Sequence, residues 1–101
     1  MTLQDILLHR RAIRHFDSSQ PIDELRVRDC IKLAALAPTS SNMQLWECYH
    51  VTDKAVLSKL ADACLGQLTA TSASQMVVFV TRQDKYRQRA RDVREFEIAN
   101  I

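Results

Sequence analysis

Residues 37–46 read "APTSSNMQLW", and the interpretation of this stretch decides the order of the fold. Before it, Val27, Cys30, Ile31 and Ala34 recur at intervals of three and four, the spacing of an amphipathic helix that begins near Asp23. After it, "WECYHV" (46–51) is aromatic and β-branched enough to be a strand. Pro38 stops the helix, because the residue before a proline resists helical backbone angles. The stretch is therefore a helix-to-strand connector. It is an unusual one, with hydroxyls at Thr39, Ser40 and Ser41, amides at Asn42 and Gln44, an indole at Trp46, and no glycine. Such polar side chains commonly satisfy turns locally. They also offer donors and acceptors together, as a surface for a polar, planar ligand requires. Trp46 is expected as a core anchor rather than a stacking platform.

Towards the amino end, Thr2 and Asp5 resemble a capping box, and Leu3, Ile6 and Leu7 give a short helix ending near His9 to Arg11. "DSSQP" (17–21) reads as a turn. Towards the carboxyl end, Thr52 or Asp53 caps a helix whose buried stripe is Val56, Leu57, Leu60, Ala61 and Cys64, with Gly66 suited to its C-terminal cap. "QLTATSASQ" (67–75) stays open between loop and helix. "MVVFV" (76–80) is a continuous apolar run, expected to be a strand covered on both faces. From Gln83 the chain is charge-rich, and Tyr86, Ala90, Val93 and Ile101 make at best a weak helix. The order is helix, helix, strand, helix, strand, helix: one α+β domain over residues 1–101. Two strands are too few for an independently stable sheet, so something is expected to complete it.

A chain of 101 residues buries only about two thirds of its unfolded surface, giving a thin core that should want a partner. With 47% hydrophobic and 26% charged residues it reads as globular, and no apolar run is long enough to span a bilayer. Met1 to Asp5 lack the basic and apolar regions of a signal peptide, which makes the cytosol the expected compartment. Cys30, Cys48 and Cys64 are odd in number and set in apolar patterns, as expected of reduced core thiols. Gly66 is the single glycine, which excludes both the dinucleotide fingerprint G-x-G-x-x-G and the phosphate loop G-x-x-x-x-G-K-[ST]. His9, His15 and His50 lack metal-ligand spacing, and Cys48 and His50 share a strand face without a third ligand. No nucleophile, base and orienting group assemble, so a hydrolase is not indicated.

"RRAIRHFD" (10–17) sets Arg10, Arg11 and Arg14 just beyond the first helix. Arg10 and Arg14 would lie about 6 Å apart in a helix and about 13 Å apart in a strand. The extended case suits a long ligand, with one guanidinium on a phosphate and the other on a second electron-rich site. A solvated patch is the simpler alternative. Net charge of +2 does not by itself imply a polyanionic partner, and nucleic acid is an unlikely one, since Phe16 is the only aromatic beside the cluster.

Together, "RRAIRHFD", "APTSSNMQLW" and "LGQ" (65–67) resemble the N-terminal half of the nitroreductase family, the FMN-dependent NAD(P)H oxidoreductases, from about residue 2 to residue 84. That family carries an Arg-rich R-x-S-x-[RK]-x-F signature after a short helix, and then a loop of the type P-[ST]-S-x-N-x-Q-P-W. The resemblance implies an α+β fold with helices packed on a central, mostly antiparallel sheet, present here as its N-terminal part. It implies FMN as cofactor, NAD(P)H as donor, a nitroaromatic, quinone or similar acceptor, and a homodimer with shared active sites. Hydride would pass through the flavin, so no protein nucleophile is needed.

Carried over by residue, the resemblance places Arg10 towards the FMN phosphate and Arg14 towards the pyrimidine edge of the ring, with Arg11 lining the site. Pro38, Thr39, Ser40 and Asn42 would reach the flavin bound mainly by the other subunit, and Gln67 would contact the ring. Ala12 stands where the family usually has serine, so a side-chain hydrogen bond is lost there. Leu45 stands where proline is common. Family chains are much longer, and the rest of them supplies further strands, basic residues and the arm that crosses to the partner. A flavin-free interaction or structural module of the same fold is the alternative implied by that difference, and a small basic nucleic-acid binder is a third.

Overall fold

The computed structural model describes residues 1–100; Ile101, assigned above to an apolar pattern, lies outside them. The elements in chain order are α1 (Leu3–His9), α2 (Glu24–Ala34), β1 (Trp46–Val51), α3 (Lys54–Ala63), α4 (Leu68–Ser72), β2 (Met76–Thr81) and α5 (Tyr86–Ala99). Short 3₁₀ turns occupy Ser40–Asn42 and Gln83–Lys85. The chain divides into two compact units, one of Met1–Pro21 with Asp53–Ser74, the other of Ile22–Thr52 with the chain from Gln75 onward.

The first unit is helical. Thr2 Oγ1 accepts from the Asp5 amide at 3.1 Å while Asp5 Oδ2 accepts from the Thr2 amide at 2.9 Å, the reciprocal capping box that the sequence predicts. Asp53, rather than Thr52, caps α3, its Oδ1 accepting from the amides of Ala55 (2.9 Å) and Val56 (3.1 Å). One turn apart on α3, Leu57 and Ala61 are the only buried hydrophobic residues among those described. Removing a leucine side chain from water contributes about 2 kcal/mol, so this face is the unit's main apolar anchor.

α3 ends in a Schellman arrangement, with the Gly66 amide donating to Ala61 O at 3.0 Å and the Leu65 amide to Asp62 O at 3.0 Å. The left-handed C′ position that glycine usually takes belongs to Leu65 (φ 61°), and Gly66 (φ 63°) follows it. The expected glycine cap is thus displaced by one residue. The open stretch after it resolves as the one-and-a-half-turn helix α4.

The second unit holds α2, both strands and α5. Asp23 Oδ1 caps α2 through the Leu25 amide at 3.0 Å. The helix stops at Ala34, and overlapping turns through Ala37 lead to Pro38. β1 and β2 pair antiparallel, Trp46 opposite Thr81 and Cys48 opposite Phe79. Trp46 is half-buried and meets Phe79 diagonally across the ladder, edge to face, with ring centroids 5.8 Å apart. Gln75 joins the sheet to the start of α2: its Nε2 donates to Ile22 O at 2.8 Å, and its Oε1 faces His50 Nε2 at 2.6 Å. The amide oxygen can only accept, so His50 Nε2 is the donor in this bond.

Beyond β2, Arg82 grips Asp84 through two nitrogens (3.0 and 2.9 Å) and also pairs with Glu47. Glu47 further receives Lys85 Nζ at 3.3 Å and the Tyr49 hydroxyl at 3.1 Å. The Arg82 amide donates to Leu45 O at 2.8 Å, extending the ladder past the strand end.

Further expectations fail. The charge-rich tail is a full helix of 14 residues, not a weak one. Its arginines, glutamine, alanines and glutamates are good helix formers whatever the apolar periodicity. β2 is not covered on both faces, since Phe79 is 61% exposed. Cys30 and Cys64 are exposed and Cys48 is half-buried, so the thiols are free but are not core thiols. The faces of α2 and α3 carry the predicted periodicity, yet Ala34 and Val56 also remain exposed. Periodicity identifies the apolar face of an element and does not say whether anything in the same chain covers it.

Candidate functional site

The residues singled out from the sequence fall into one group in each unit. Arg10, Arg11, Ala12, Arg14 and Gln67 belong to the first, and Pro38, Thr39, Ser40 and Asn42 to the second.

In the first unit the helix α1 gives way at Arg10, whose backbone (φ −58°, ψ 134°) turns extended. The segment that follows is non-helical but anchored. Thr69 Oγ1 donates to Arg14 O at 3.2 Å, and Ser72 Oγ accepts from the Phe16 amide at 3.0 Å while donating to Leu68 O at 2.6 Å. Both anchors come from α4, two and five residues beyond Gln67. This short helix therefore sets the Arg14 backbone beside the segment that carries Gln67. The Arg11 guanidinium turns back on α1, its Nη1 donating to Leu8 O (2.8 Å) and Arg10 O (2.9 Å), which satisfies carbonyls at the helix end. Arg10 and Arg14 are exposed, and neither guanidinium has a hydrogen bond or an ion pair among the described residues. Ala12 offers only its backbone.

In the second unit the connector adopts a backbone that its composition conceals. Ser41, Asn42 and Gln44 all have positive φ (50°, 53° and 51°), without one glycine among them. Asparagine tolerates the left-handed region; serine and glutamine do so at a cost of about 1–2 kcal/mol each. Internal bonds hold the shape. The Asn42 amide donates to Thr39 O at 3.0 Å, the Met43 amide to Ser40 O at 3.1 Å, and the Gln44 amide to Thr39 Oγ1 at 3.1 Å. Thr39 is thus half-buried and structural, whereas the Ser40, Ser41 and Asn42 side chains project without partners among the described residues.

Arg89 of α5 also reaches this loop, its Nη1 donating to Gln44 O at 2.6 Å and Met43 O at 3.3 Å. It was not distinguishable in the sequence, being one of several arginines on a charged helix. A cleft of about 330 Å³ lies alongside, lined by Asn42, Met43, Gln44, Arg89, Val93 and Phe96 among others.

These elements define the class: an α+β protein whose antiparallel strand pair is entered through a strained polar loop and whose first helix leads into an anchored arginine segment. The Nitroreductase family model matches residues 7–99, and the chain belongs to the nitroreductase family. MhqN of Bacillus subtilis, which carries an NAD(P)H nitroreductase name, is 32% identical over 81 residues, covering 80% of this chain and 39% of that protein. The nitrobenzene nitroreductase of Ectopseudomonas oleovorans is 42% identical over 53 residues, 52% of this chain and 23% of that one. Among solved structures, ydfN of Bacillus subtilis, also bearing a nitroreductase name, superposes with a TM-score of 0.81 at 27% identity, over 95% of this chain and 46% of that one. The chain thus spans less than half the length of these relatives. None of its described helices is long and apolar enough to cross a membrane.

Proposed function

We propose that this chain is the FMN-binding N-terminal portion of an oxidoreductase that moves hydride from NAD(P)H to a nitroaromatic, quinone or similar small acceptor. It would act in the cytosol as a homodimer with shared active sites. The observation that carries this reading is the state of Arg10 and Arg14: two exposed cations without counter-charges on a segment whose backbone is pinned by Thr69 and Ser72. Ordering a backbone while leaving its cations unpaired suits a ligand that brings its own negative charge.

The donor set fits FMN. Arg10 offers a guanidinium fork for a phosphate, and Arg11 still has donors beyond the Nη1 spent on α1. Arg14 is assigned to the pyrimidine edge of the ring, where a fixed cation stabilises the negative charge that accompanies reduction. Gln67 contributes an amide to the same ring, and Ala12 a backbone group only. Pro38, Thr39, Ser40 and Asn42 form the loop that meets the flavin held mainly by the other subunit, Ser40 and Asn42 with their polar groups uncommitted. FMN, when bound, supplies the hydride-accepting and hydride-donating chemistry, and the protein supplies binding, orientation and electrostatics.

Visible flavin absorbance in the purified protein tests the assignment, together with FMN titrations of two variants. Arg14→Ala removes charge-assisted contacts and should weaken FMN binding by about tenfold or more. Lys59→Ala, on the exposed side of α3, should leave it unchanged. Equal effects from the two substitutions would defeat the assignment.

A further inference from the structure

Arg89 sits on α5, 45 residues along the chain from the loop it touches. It has no carboxylate partner among the described residues, although Asp92 lines the same cleft. Asp92 accepts instead from Gln88 Nε2 at 2.9 Å. The half-buried Arg89 guanidinium therefore donates to two backbone carbonyls. Those carbonyls belong to Met43 and Gln44, at the end of the run in which Ser41, Asn42 and Gln44 all hold left-handed backbone.

Positive φ at residues other than glycine persists only where surrounding contacts over-determine it. The bonds from the amides of Asn42, Met43 and Gln44 all close within the loop, and each returns to Thr39 or Ser40. They shape the turn but do not tie it to the rest of the unit. The Trp46 amide shares Gln44 O with Arg89, at 2.8 Å, and that bond too is local. Among the side-chain bonds to this turn, those of Arg89 come from a distant element, and they are charge-assisted. They occupy carbonyls only, which leaves the Ser40, Ser41 and Asn42 side chains unengaged.

We infer that Arg89 is a positioning residue: by clamping Met43 and Gln44 carbonyls it holds the 39–44 loop in the left-handed shape that presents Ser40 and Asn42 to a ligand. The ligand part of this inference rests on the flavin assignment made above. Both Arg89 bonds end on loop carbonyls, so its effect on binding passes through the loop.

Amide hydrogen exchange and FMN titration of the purified protein, with Arg89→Met, Arg89→Lys and Arg91→Met, test it. In Arg89→Met the amides of Asn42, Met43 and Gln44 should exchange about tenfold faster. FMN affinity should fall by a similar factor while the urea midpoint stays where it was. Arg89→Lys should restore most of both, since both contacts run through a single nitrogen that an ammonium can replace. Arg91→Met, an exposed change on the same helix, should alter neither. Unchanged loop protection in Arg89→Met overturns the clamp, and so does lost protection with unchanged FMN affinity. A fall in the urea midpoint that accounts for the whole loss of affinity also overturns it, by making Arg89 a general stability residue. Wild-type protein that leaves FMN fluorescence unquenched overturns the flavin assignment instead, and loop exchange then still decides the clamp.

Discussion

At the scale of single residues, this chain places left-handed backbone where glycine is absent. Leu65 is the clearest case. It holds φ 61° at the C′ position of α3 and is 88% exposed, so its side chain returns little by way of burial. Leu65→Gly should relieve the steric cost of the left-handed conformation, partly offset by the greater freedom of unfolded glycine. A net gain of about 0.5–1 kcal/mol is expected, read as a higher urea midpoint at unchanged slope; a lower midpoint would refute it. Gly66 was visible in the sequence as a helix-ending residue, but not that the turn would begin one residue earlier. The same holds for Ser41, Asn42 and Gln44. Their polarity marked the loop, whereas three positive φ values depend on Arg89 and the loop's own hydrogen bonds, which no local pattern encodes.

Between elements, the charged cluster at the end of the sheet ties β1 to the turn that opens α5. The bond from Arg82, with smaller help from Lys85 and Tyr49, holds the Glu47 carboxyl below its usual range, and Arg82 does the same for Asp84. A carboxylate whose pKa is depressed by folding contributes stability that is fully present above its unfolded pKa and is lost as pH falls through the folded one. Wild-type protein should therefore be more stable than Glu47→Gln at neutral pH, with the two urea midpoints converging below about pH 4. A gap that persists unchanged into strong acid would show that Glu47 acts through something other than its charge. Element boundaries were largely legible, because strand composition, the aspartate caps and the Thr2–Asp5 box act within a few residues. The helix α5 is hard to see in the sequence because its apolar periodicity is sparse, and the helix propensity of its arginines and glutamates sustains it instead.

For the whole molecule, the telling fact is how much apolar surface stays open. Leu3, Leu7 and Leu8 of α1 are 71%, 63% and 66% exposed, and Phe96 of α5 is 65% exposed. Exposed apolar faces on this scale stabilise a protein only when something covers them. If a second copy does so, as the homodimer proposed above requires, mass action makes the thermal midpoint rise with protein concentration. A midpoint constant over about a hundredfold range of concentration would count against that assembly.

By itself, the sequence determined the family, the α+β class and the positions of its strands and N-terminal helix caps, because arginine signatures, capping side chains and β-branched runs express their preferences through near neighbours in the chain. Only the tertiary structure decided which guanidinium is spent on a helix end, which on loop carbonyls and which stand unpaired, and which apolar faces are left uncovered. Those outcomes depend on contacts between residues tens of positions apart, and their energies arise only when the folded backbone brings the groups within reach.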